Sequence, residues 1–296
     1  MKNIIFSKTP LLILLFSLII LSSQVIANQS SLAVMAAAET QPRNFLRLAD
    51  NKEHKALQVA IVRYSATNSD LYVDLISAVH VADRQYYAQL NELFKRYDVV
   101  LYELVAPEGT KIPKGGKQSA GFVSMIQMGM KNILGLSFQL EEIDYTARNF
   151  VHADMTPTEF SNSMKKRGES MFGTMIKLWR AGMVQQLSGK SEANNIELIS
   201  AFFADDKEHA LKSIFAKEFE NMGGVLGALE GTEGSTLVTE RNKKALAVLK
   251  NEISSGKKSL AIFYGAAHMD DIGKRLQAEF DLQAVSEYWI DAWDLN

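Results

Sequence analysis

The sequence predicts an α/β (α+β) fold in which both ends of the chain build one central mixed β-sheet around a large helical insertion. Short apolar runs rich in valine, isoleucine and tyrosine, which are typical of strands, cluster toward the two ends. They occupy residues 57–65, 71–79, 98–105, 259–264 and 284–290. Between them, residues 118–220 place apolar side chains three, four or seven positions apart, which is the spacing of amphipathic helices.

A hairpin and a strand–helix–strand unit are predicted in the first third of the domain. The turn-forming residues 67–70 separate the runs 57–65 and 71–79, so these two strands should pair antiparallel. Asp83 stands where a helix N-cap would stand, before apolar residues at helical spacing. The next strand, 98–105, should run parallel to 71–79 after a right-handed crossover.

The last third of the chain predicts helices over residues 240–254 and 269–280 on either side of a buried strand. Residues 222–235 precede them and contain five glycines. Such a stretch favours a flexible loop, which is either a lid over a site or a plain connector.

Residues 1–27 have the pattern of a secretory signal peptide. A basic start precedes an apolar run shorter than the ~20 residues of a membrane-spanning helix, and the end of the segment suits cleavage after Ala27. An uncleaved N-terminal anchor is the alternative. We predict a flexible leader over residues 28–45 and one domain over residues 46–296. We also predict export to the periplasm or out of the cell, with no stable transmembrane segment after cleavage.

The composition excludes several functional classes. The chain has 296 residues with 32 basic and 34 acidic side chains, a net charge of −2, so it lacks the basic bias of a non-specific nucleic-acid binder. It has no cysteine, which excludes a disulfide framework, a zinc ribbon and a thiol nucleophile. An enzyme or a binding protein for a peptide or small molecule remains.

Two similar turns carry the strongest chemical signal. Ser77 to His80 and Gly265 to His268 each form a small-x-x-His pattern at the carboxyl end of a predicted strand. Glu103 lies near the carboxyl end of a third strand, and ligands bind at this edge of open α/β sheets. Two imidazoles and a carboxylate are the ligand set of many catalytic metal sites, although a single strand-end histidine is more often structural.

The sequence resembles the TraB/PrgY/GumN family, which is related to the Tiki metalloproteases and more distantly to erythromycin-esterase-like and ChaN-like proteins. The resemblance is carried by the segments SAVHVADRQYYAQL, VVLYELV, ERN and AIFYGAAHMDDIGKRL. It implies paired GxxH motifs and a glutamate around a divalent metal ion, which here are His80, His268 and Glu103. The metal would be manganese, cobalt or zinc. Ser77 stands where the family has the first glycine.

The ERN segment of the resemblance implies that Glu240, Arg241 and Asn242 lie near the site and contact substrate. The guanidinium of Arg241 would suit an oxyanion or a substrate carboxylate, because it is always charged and presents a fork of donors. The alternative is an ion pair at a helix start, between Arg241 and Glu240 or another acid.

His152 and Asp154 form a further candidate for substrate binding. An H-x-D pair can hold a metal or act as base and orienting group. The pair lies just before a predicted helix start, where Thr156 has the character of an N-cap and Pro157 would take the first helical position. The alternative is a loop histidine bonded to the backbone.

These signals together predict an exported metal-dependent hydrolase, a peptidase rather than an esterase. His80, His268 and Glu103 would bind the metal or supply the general base, and Arg241 would stabilise developing negative charge. Eight of the twelve methionines lie between Met125 and Met183, where they would bind an apolar substrate or simply fill a helical core. The alternative function is a non-catalytic periplasmic binding or inhibitor protein for a hydrophobic peptide or small ligand. The apolar faces of the helical insertion would also allow a homodimer.

Overall fold

The computed structural model describes residues 43–112, 134–170, 203–229 and 234–296, together with positions 173, 197, 200 and 201. The predicted signal peptide, most of the leader and six of the eight methionines between Met125 and Met183 lie outside these residues. Residues Asn44–Asn296 form one compact unit. None of the helices in the described part of the chain has both the length and the apolar character needed to cross a membrane.

The described residues begin with four strands, after which helices and strands are interspersed. The strands are β1 (Leu46–Asp50), β2 (Lys55–Ser65), β3 (Tyr72–Ala78), β4 (Val81–Ala82), β5 (Val99–Tyr102), β6 (Ser137–Phe138), β7 (Phe150–His152), β8 (Ser259–Gly265) and β9 (Gln283–Asp294). The helices are α1 (Arg84–Phe94), α2 (Gln139–Glu142), α3 (Pro157–Lys166), α4 (Lys207–Leu229), α5 (Arg241–Ser254) and α6 (Ala266–Phe280). A π-helical turn, Thr236–Glu240, leads directly into α5.

The central sheet has seven strands and is mixed, which confirms the predicted fold class. Strand β2 is antiparallel to β1, β3 and β9, whereas β3, β8, β5 and β7 follow one another in parallel. Val62 pairs with Leu75 of β3 and with Glu287 of β9, so these two strands lie on opposite edges of β2. Separately, β4 and β6 form a two-stranded sheet.

Both ends of the chain build the central sheet, as the sequence predicts. Strand β8, from the last third of the chain, lies between β3 and β5 and hydrogen-bonds to both. Its five inner residues are buried, because helices cover both faces of the parallel strands. The predicted strands 71–79 and 98–105 are therefore parallel members of one sheet, with β8 between them.

The core has two layers because successive strand residues point to opposite faces of the sheet. On β2, Ile61 faces a cluster that includes the buried residues of α1 and α4, while Val62 faces a cluster that includes those of α5 and α6. Phe45, which the sequence assigns to the flexible leader, is 3% exposed in the second cluster. The ordered domain thus begins slightly earlier than predicted.

Two predictions about the middle of the chain are wrong. Gly223, Gly224 and Gly227 lie within α4 and not in a flexible loop. The range 118–220 is also not purely helical, because it contains β6 and β7. Strands of two and three residues are too short to show an alternating pattern, so their sequence carries no recognisable strand signal.

The two predicted helix starts have different outcomes. Thr156 forms a complete capping box with Glu159, and Pro157 occupies the first turn of α3, as predicted. Asp83 does precede α1, but its side chain makes no capping hydrogen bond. Its carboxylate instead accepts hydrogen bonds of 2.8 and 2.9 Å from Lys212 Nζ on α4.

Candidate functional site

The parallel strands β3, β8, β5 and β7 end at one edge of the sheet. Ala78 lies opposite Gly265, and Tyr102 lies opposite both Phe263 and His152. The residues that follow these strand ends are therefore neighbours in space although they are far apart in sequence. This edge carries most of the side chains that the sequence singles out.

Arg241 is the centre of a buried ion cluster at this edge. Its side chain is 8% exposed at the start of α5. Nε and Nη2 donate to the two oxygens of Asp154 at 2.9 and 2.6 Å, and Nη2 also donates to Glu103 Oε1 at 2.6 Å. Nη1 donates to the backbone oxygen of Leu237 at 3.2 Å. Such a forked pair with an added carboxylate holds the guanidinium in one orientation.

The charges in this cluster reinforce one another. Burial lowers the pKa of Arg241, but the hydrogen bonds and charges of Asp154 and Glu103 raise it well above its ordinary value. Burial raises the pKa of Glu103, but the charges of His268, Arg241 and His80 lower it to about 2. Glu103 is therefore a carboxylate at neutral pH, and Arg241 is its permanent cation.

The glycine of the second turn makes room for Glu103. Gly265 N–H donates to Glu103 Oε2 at 2.7 Å. A Cβ at residue 265 would lie 3.3 Å from the same oxygen, which is closer than most side chains tolerate. Glycine therefore eases the close approach between backbone and carboxylate here. Both oxygens of Glu103 then have a donor, one from Arg241 and one from Gly265.

His268 lies in the first turn of α6 and is 5% exposed. Its Nδ1 is 2.6 Å from Asn242 Oδ1. Asn242 Nδ2 donates to Asp271 Oδ2 at 2.8 Å and to the backbone oxygen of His268 at 3.2 Å. A carboxylate only accepts, so the amide of Asn242 must turn its oxygen toward the ring. Nδ1 of His268 therefore carries the proton.

The other ring nitrogen of His268 is an acceptor that faces the cluster. Nε2 lies 3.5 Å from Glu103 Oε1 and 3.4 Å from Arg241 Nη1. Burial lowers the pKa of His268 below its ordinary value. The charge of Glu103 raises this pKa, whereas the charge of Arg241 lowers it, and the net shift is downward. At neutral pH the ring is thus neutral, with a lone pair on Nε2 directed into the site.

His80 occupies a different environment at the end of β3. Its side chain is exposed, and its Nδ1 is 3.0 Å from Gln139 Oε1. The described contacts of this ring are with Gln139 and not with Glu103 or His268. His80 does lie close enough for its charge to lower the pKa of Glu103, so it belongs to the same edge without joining the buried cluster.

Two other predicted site residues have partners outside the cluster. His152 Nε2 donates to the backbone oxygen of Leu104 at 2.6 Å, which is the backbone-bonded alternative. The carboxylate of Glu240 contacts Lys243 at 2.8 Å and Arg167 at 3.5 Å. Asp154 and Asn242, by contrast, lie within the cluster. Substrate binding by any of these four remains a prediction.

Three residues that the sequence analysis does not single out help to build the site. Tyr264 donates from its hydroxyl to the backbone oxygen of Ala153 at 2.7 Å and packs edge-on against His268. Gln139 and Tyr145 support His80. Tyr264 could have been noticed because it precedes the second turn, whereas Gln139 lies in a segment with no distinguishing pattern.

The donor set fits a divalent ion only in part. Two ligands bound at about 2.0–2.2 Å to one tetrahedral ion lie about 3.3–3.6 Å apart, and the 3.5 Å between His268 Nε2 and Glu103 Oε1 falls within that range. The same carboxylate oxygen already accepts from Arg241. Within the described ranges, no group of three or more His, Asp or Glu residues is arranged to hold a metal.

Comparison of the chain with family models, with curated proteins and with solved structures found no match. The resemblance to the TraB/PrgY/GumN family therefore rests on the four sequence segments alone. Any functional argument must come from the geometry of the strand-end cluster.

Proposed function

We propose that this chain is an exported hydrolase of the TraB/PrgY/GumN type, which acts on a peptide bond in preference to an ester. The observation that carries the proposal is the state of His268. A buried neutral imidazole, oriented by Asn242, directs an unprotonated Nε2 toward a carboxylate and a guanidinium. That arrangement suits a general base that removes a proton from water.

The neighbours of His268 have distinct roles in this proposal. Glu103 stabilises the imidazolium that forms when His268 takes a proton, because its carboxylate lies 3.5 Å from Nε2. Arg241 holds Glu103 and Asp154 in place and contributes a fixed positive charge to the site. Four of its N–H groups donate to oxygen atoms, and the fifth faces His268 Nε2 at 3.4 Å. Arg241 therefore acts on substrate through its charge, and a water that reaches His268 would replace the long contact with Nε2.

A divalent ion of manganese, cobalt or zinc is part of the proposal through the family resemblance. His268 and Glu103 are the ligands that the geometry offers, with His80 as the third. A metal on His268 Nε2 would take the lone pair that, without the metal, makes this residue the general base. An ion bound there would act as a Lewis acid on the scissile carbonyl. Arg241 would then have to share Glu103 with the metal.

A non-catalytic binding protein is the second candidate, and one observation favours it. Each oxygen of Asp154 and Glu103 already accepts a hydrogen bond, and each donor of Arg241 has an acceptor. A cluster that satisfies itself in this way is also typical of structural ion networks. The ligand would be a hydrophobic peptide or small molecule held without turnover.

The first experiment compares mature protein of residues 28–296 with the double variant His80→Ala/His268→Ala. Both are exposed to manganese, cobalt or zinc, analysed for bound metal, and assayed on pools of peptides and esters. We expect about one equivalent of metal and measurable hydrolysis in the natural protein, both lost in the double variant. His54→Ala is the matched control, because His54 precedes β2 and pairs with Asp291 on β9, outside the strand-end cluster.

The two candidates give opposite results in the same assays. A hydrolase loses turnover in the conservative variant Glu103→Gln. A binding protein shows no turnover of any substrate, and its affinity for hydrophobic peptides survives both that variant and a chelator. Turnover that persists at full rate in folded His268→Ala protein would contradict the role assigned to this residue.

A further inference from the structure

The two turn histidines share a feature that their sequence pattern does not contain. Each ring is bonded through Nδ1 to a side-chain carboxamide oxygen. The distances are 2.6 Å from His268 to Asn242 and 3.0 Å from His80 to Gln139. The two carboxamides come from unrelated places in the chain, the start of α5 and the start of α2.

The fold fixes Gln139 against His80 by several contacts. Strand β4, directly after His80, pairs with β6, directly before Gln139. The backbone N–H of Gln139 donates to the backbone oxygen of His80 at 3.0 Å. The side chain of Gln139 is 5% exposed, so its rotamer is held by packing. The pairing of β4 with β6 thus fixes the backbone of Gln139 next to the backbone of His80.

Tyr145 completes the support on the other side of Gln139. Its hydroxyl accepts a hydrogen bond of 2.8 Å from Gln139 Nε2. The ring packs against Tyr102 and Phe150, with ring centres 5.1 and 5.7 Å away. Burial raises the pKa of Tyr145, and the charge of Glu103 raises it further, so the phenol keeps its proton.

We propose that Gln139 is a positioning residue that holds His80 in the tautomer with the proton on Nδ1 and the lone pair on Nε2. His80 then presents the same acceptor nitrogen as His268, but from an exposed position at the same sheet edge. The catalytic consequence rests on the proposed hydrolase function. The tautomer itself does not, because it depends only on the orientation of the Gln139 amide.

The proposal is open to a direct test because a hydroxyl can either donate or accept. If the Gln139 amide were turned over, its NH₂ would face His80, and the histidine proton would lie on Nε2. Asn242 has no such freedom, since Asp271 can only accept. His268 therefore serves as an internal reference for the tautomer of His80.

The experiment is nitrogen-15 NMR of the imidazole rings in mature protein labelled at histidine. A chelator keeps the protein metal-free, and the pH is set above the titration range of histidine so that the rings are neutral. The signal of His80 is assigned by its loss in His80→Ala. We expect both His80 and His268 to show a protonated Nδ1 and an unprotonated Nε2. A protonated Nε2 on His80 in the natural protein would overturn the proposal.

Variants of Gln139 separate positioning from general packing. Gln139→Leu should release His80 into a mixture of tautomers, whereas Gln139→Glu, which can only accept, should retain the proton on Nδ1. Gln58→Leu is the matched control, because Gln58 on β2 is another buried glutamine, 8% exposed and bonded to Asp291 on β9. If Gln139→Leu fails to fold, the natural protein and Gln139→Glu still decide the question. An unchanged His80 signal in folded Gln139→Leu would contradict a positioning role.

Kinetics distinguish failure of this inference from failure of the proposed function. If the natural protein hydrolyses a substrate, Gln139→Leu should lower kcat about 10–100-fold with little change in KM, as the loss of a supporting contact does in other sites. Gln139→Glu should restore most of that rate. Absence of turnover in the natural protein would defeat the hydrolase proposal and leave the NMR result standing.

Discussion

The two histidine turns are nearly identical in sequence pattern but differ in what surrounds them. The turn after β8 continues straight into α6, so His268 lies in the first helical turn, 5% exposed, beside Glu103 and Arg241. The turn after β3 continues into the short strand β4, and His80 remains exposed. The pattern thus determines where along a strand each histidine lies, while the next element determines its burial.

This difference divides the sheet edge into two parts. The buried half consists of His268, Glu103, Arg241 and Asp154, and the open half consists of His80 with the residues that contact it. The buried half contains the paired charges, so changes there should have large effects on stability. The open half contains the exposed ring of His80, so changes to that ring should leave stability nearly unaltered. Each half can be tested separately.

The largest effect is expected for Arg241→Leu. It leaves Glu103 and Asp154 buried without their cation, and loss of one partner from a buried pair costs about 3–5 kcal/mol. Urea unfolding of natural and variant protein measures the difference. Arg84→Ala is the control, because its side chain is 81% exposed in a surface pair with Glu142, and such pairs contribute about 0–1 kcal/mol. Equal costs for the two variants would remove the distinction between buried and open halves.

The second effect compares the histidines directly. His268→Ala removes a packed ring and the partner of Asn242, so we expect a loss of about 2–5 kcal/mol in the free energy of unfolding. His80→Ala should change it by no more than about 0.5 kcal/mol, as is usual at exposed positions. Thermal or urea unfolding in chelator gives both values. A cost for His80→Ala as large as for His268→Ala would mean that the open half is also structural.

A smaller effect is expected for Asn242→Ala on α5. The change leaves the Nδ1–H of His268 without its acceptor, and a buried unsatisfied polar group costs about 1–3 kcal/mol. Asn251→Ala lies on the exposed surface of the same helix and serves as the matched control. Nitrogen-15 NMR should in addition show His268 losing its single tautomer in Asn242→Ala. A single, unchanged tautomer would show that Asn242 does not orient the ring.

The pH dependence of stability should also separate the two halves. The pKa of His268 is lowered in the folded chain, so below about pH 6.5 the unfolded chain takes up the proton first and stability falls. Glu103 acts in the same direction at lower pH, since its pKa is 4.5 ordinarily and about 2 when folded. Stability in chelator should therefore decline on acidification from pH 6.5 and more steeply below 4.5.

Variants identify which group causes the loss of stability at the higher end of this pH range. His268→Ala should flatten the stability profile between about pH 6.5 and 5, because the titrating group is gone. Denaturant midpoints measured across this range provide the comparison, and an unaltered slope in His268→Ala would assign the decline to other groups.

Much of the fold could be predicted because its strands are long and apolar. The buried runs of β2, β3 and β8 and the helical spacing of α1 all have strong periodic signals. The three-residue strand β7 has none, since it is held by its neighbour β5 and not by its own pattern. The glycines of α4 mislead because low intrinsic helix propensity is a weak guide, and these glycines lie within a 23-residue helix.

The location of the site could be predicted from the sequence, but the contacts between its side chains could not. Strand-end positions bring Glu103 and His268 together, and both are recognisable from the sequence. The bond between Arg241 and Asp154 joins residues 87 positions apart, and no local pattern reports it. Gln139 is equally invisible, because its role follows from the pairing of two very short strands.

The position of β8 between β3 and β5 has a consequence for the order of synthesis. A ribosome releases β3 and β5 long before residues 259–265, yet these two strands have no common neighbour until that segment arrives. The parallel part of the sheet therefore cannot form until β8 is synthesised, and such long-range pairing makes folding slow. Glu103 meets its glycine donor and its histidine neighbour at the same late moment. A chain that ends before residue 259 would contain Glu103, Asp154 and Arg241 but would lack Gly265, His268 and the strand that joins β3 to β5.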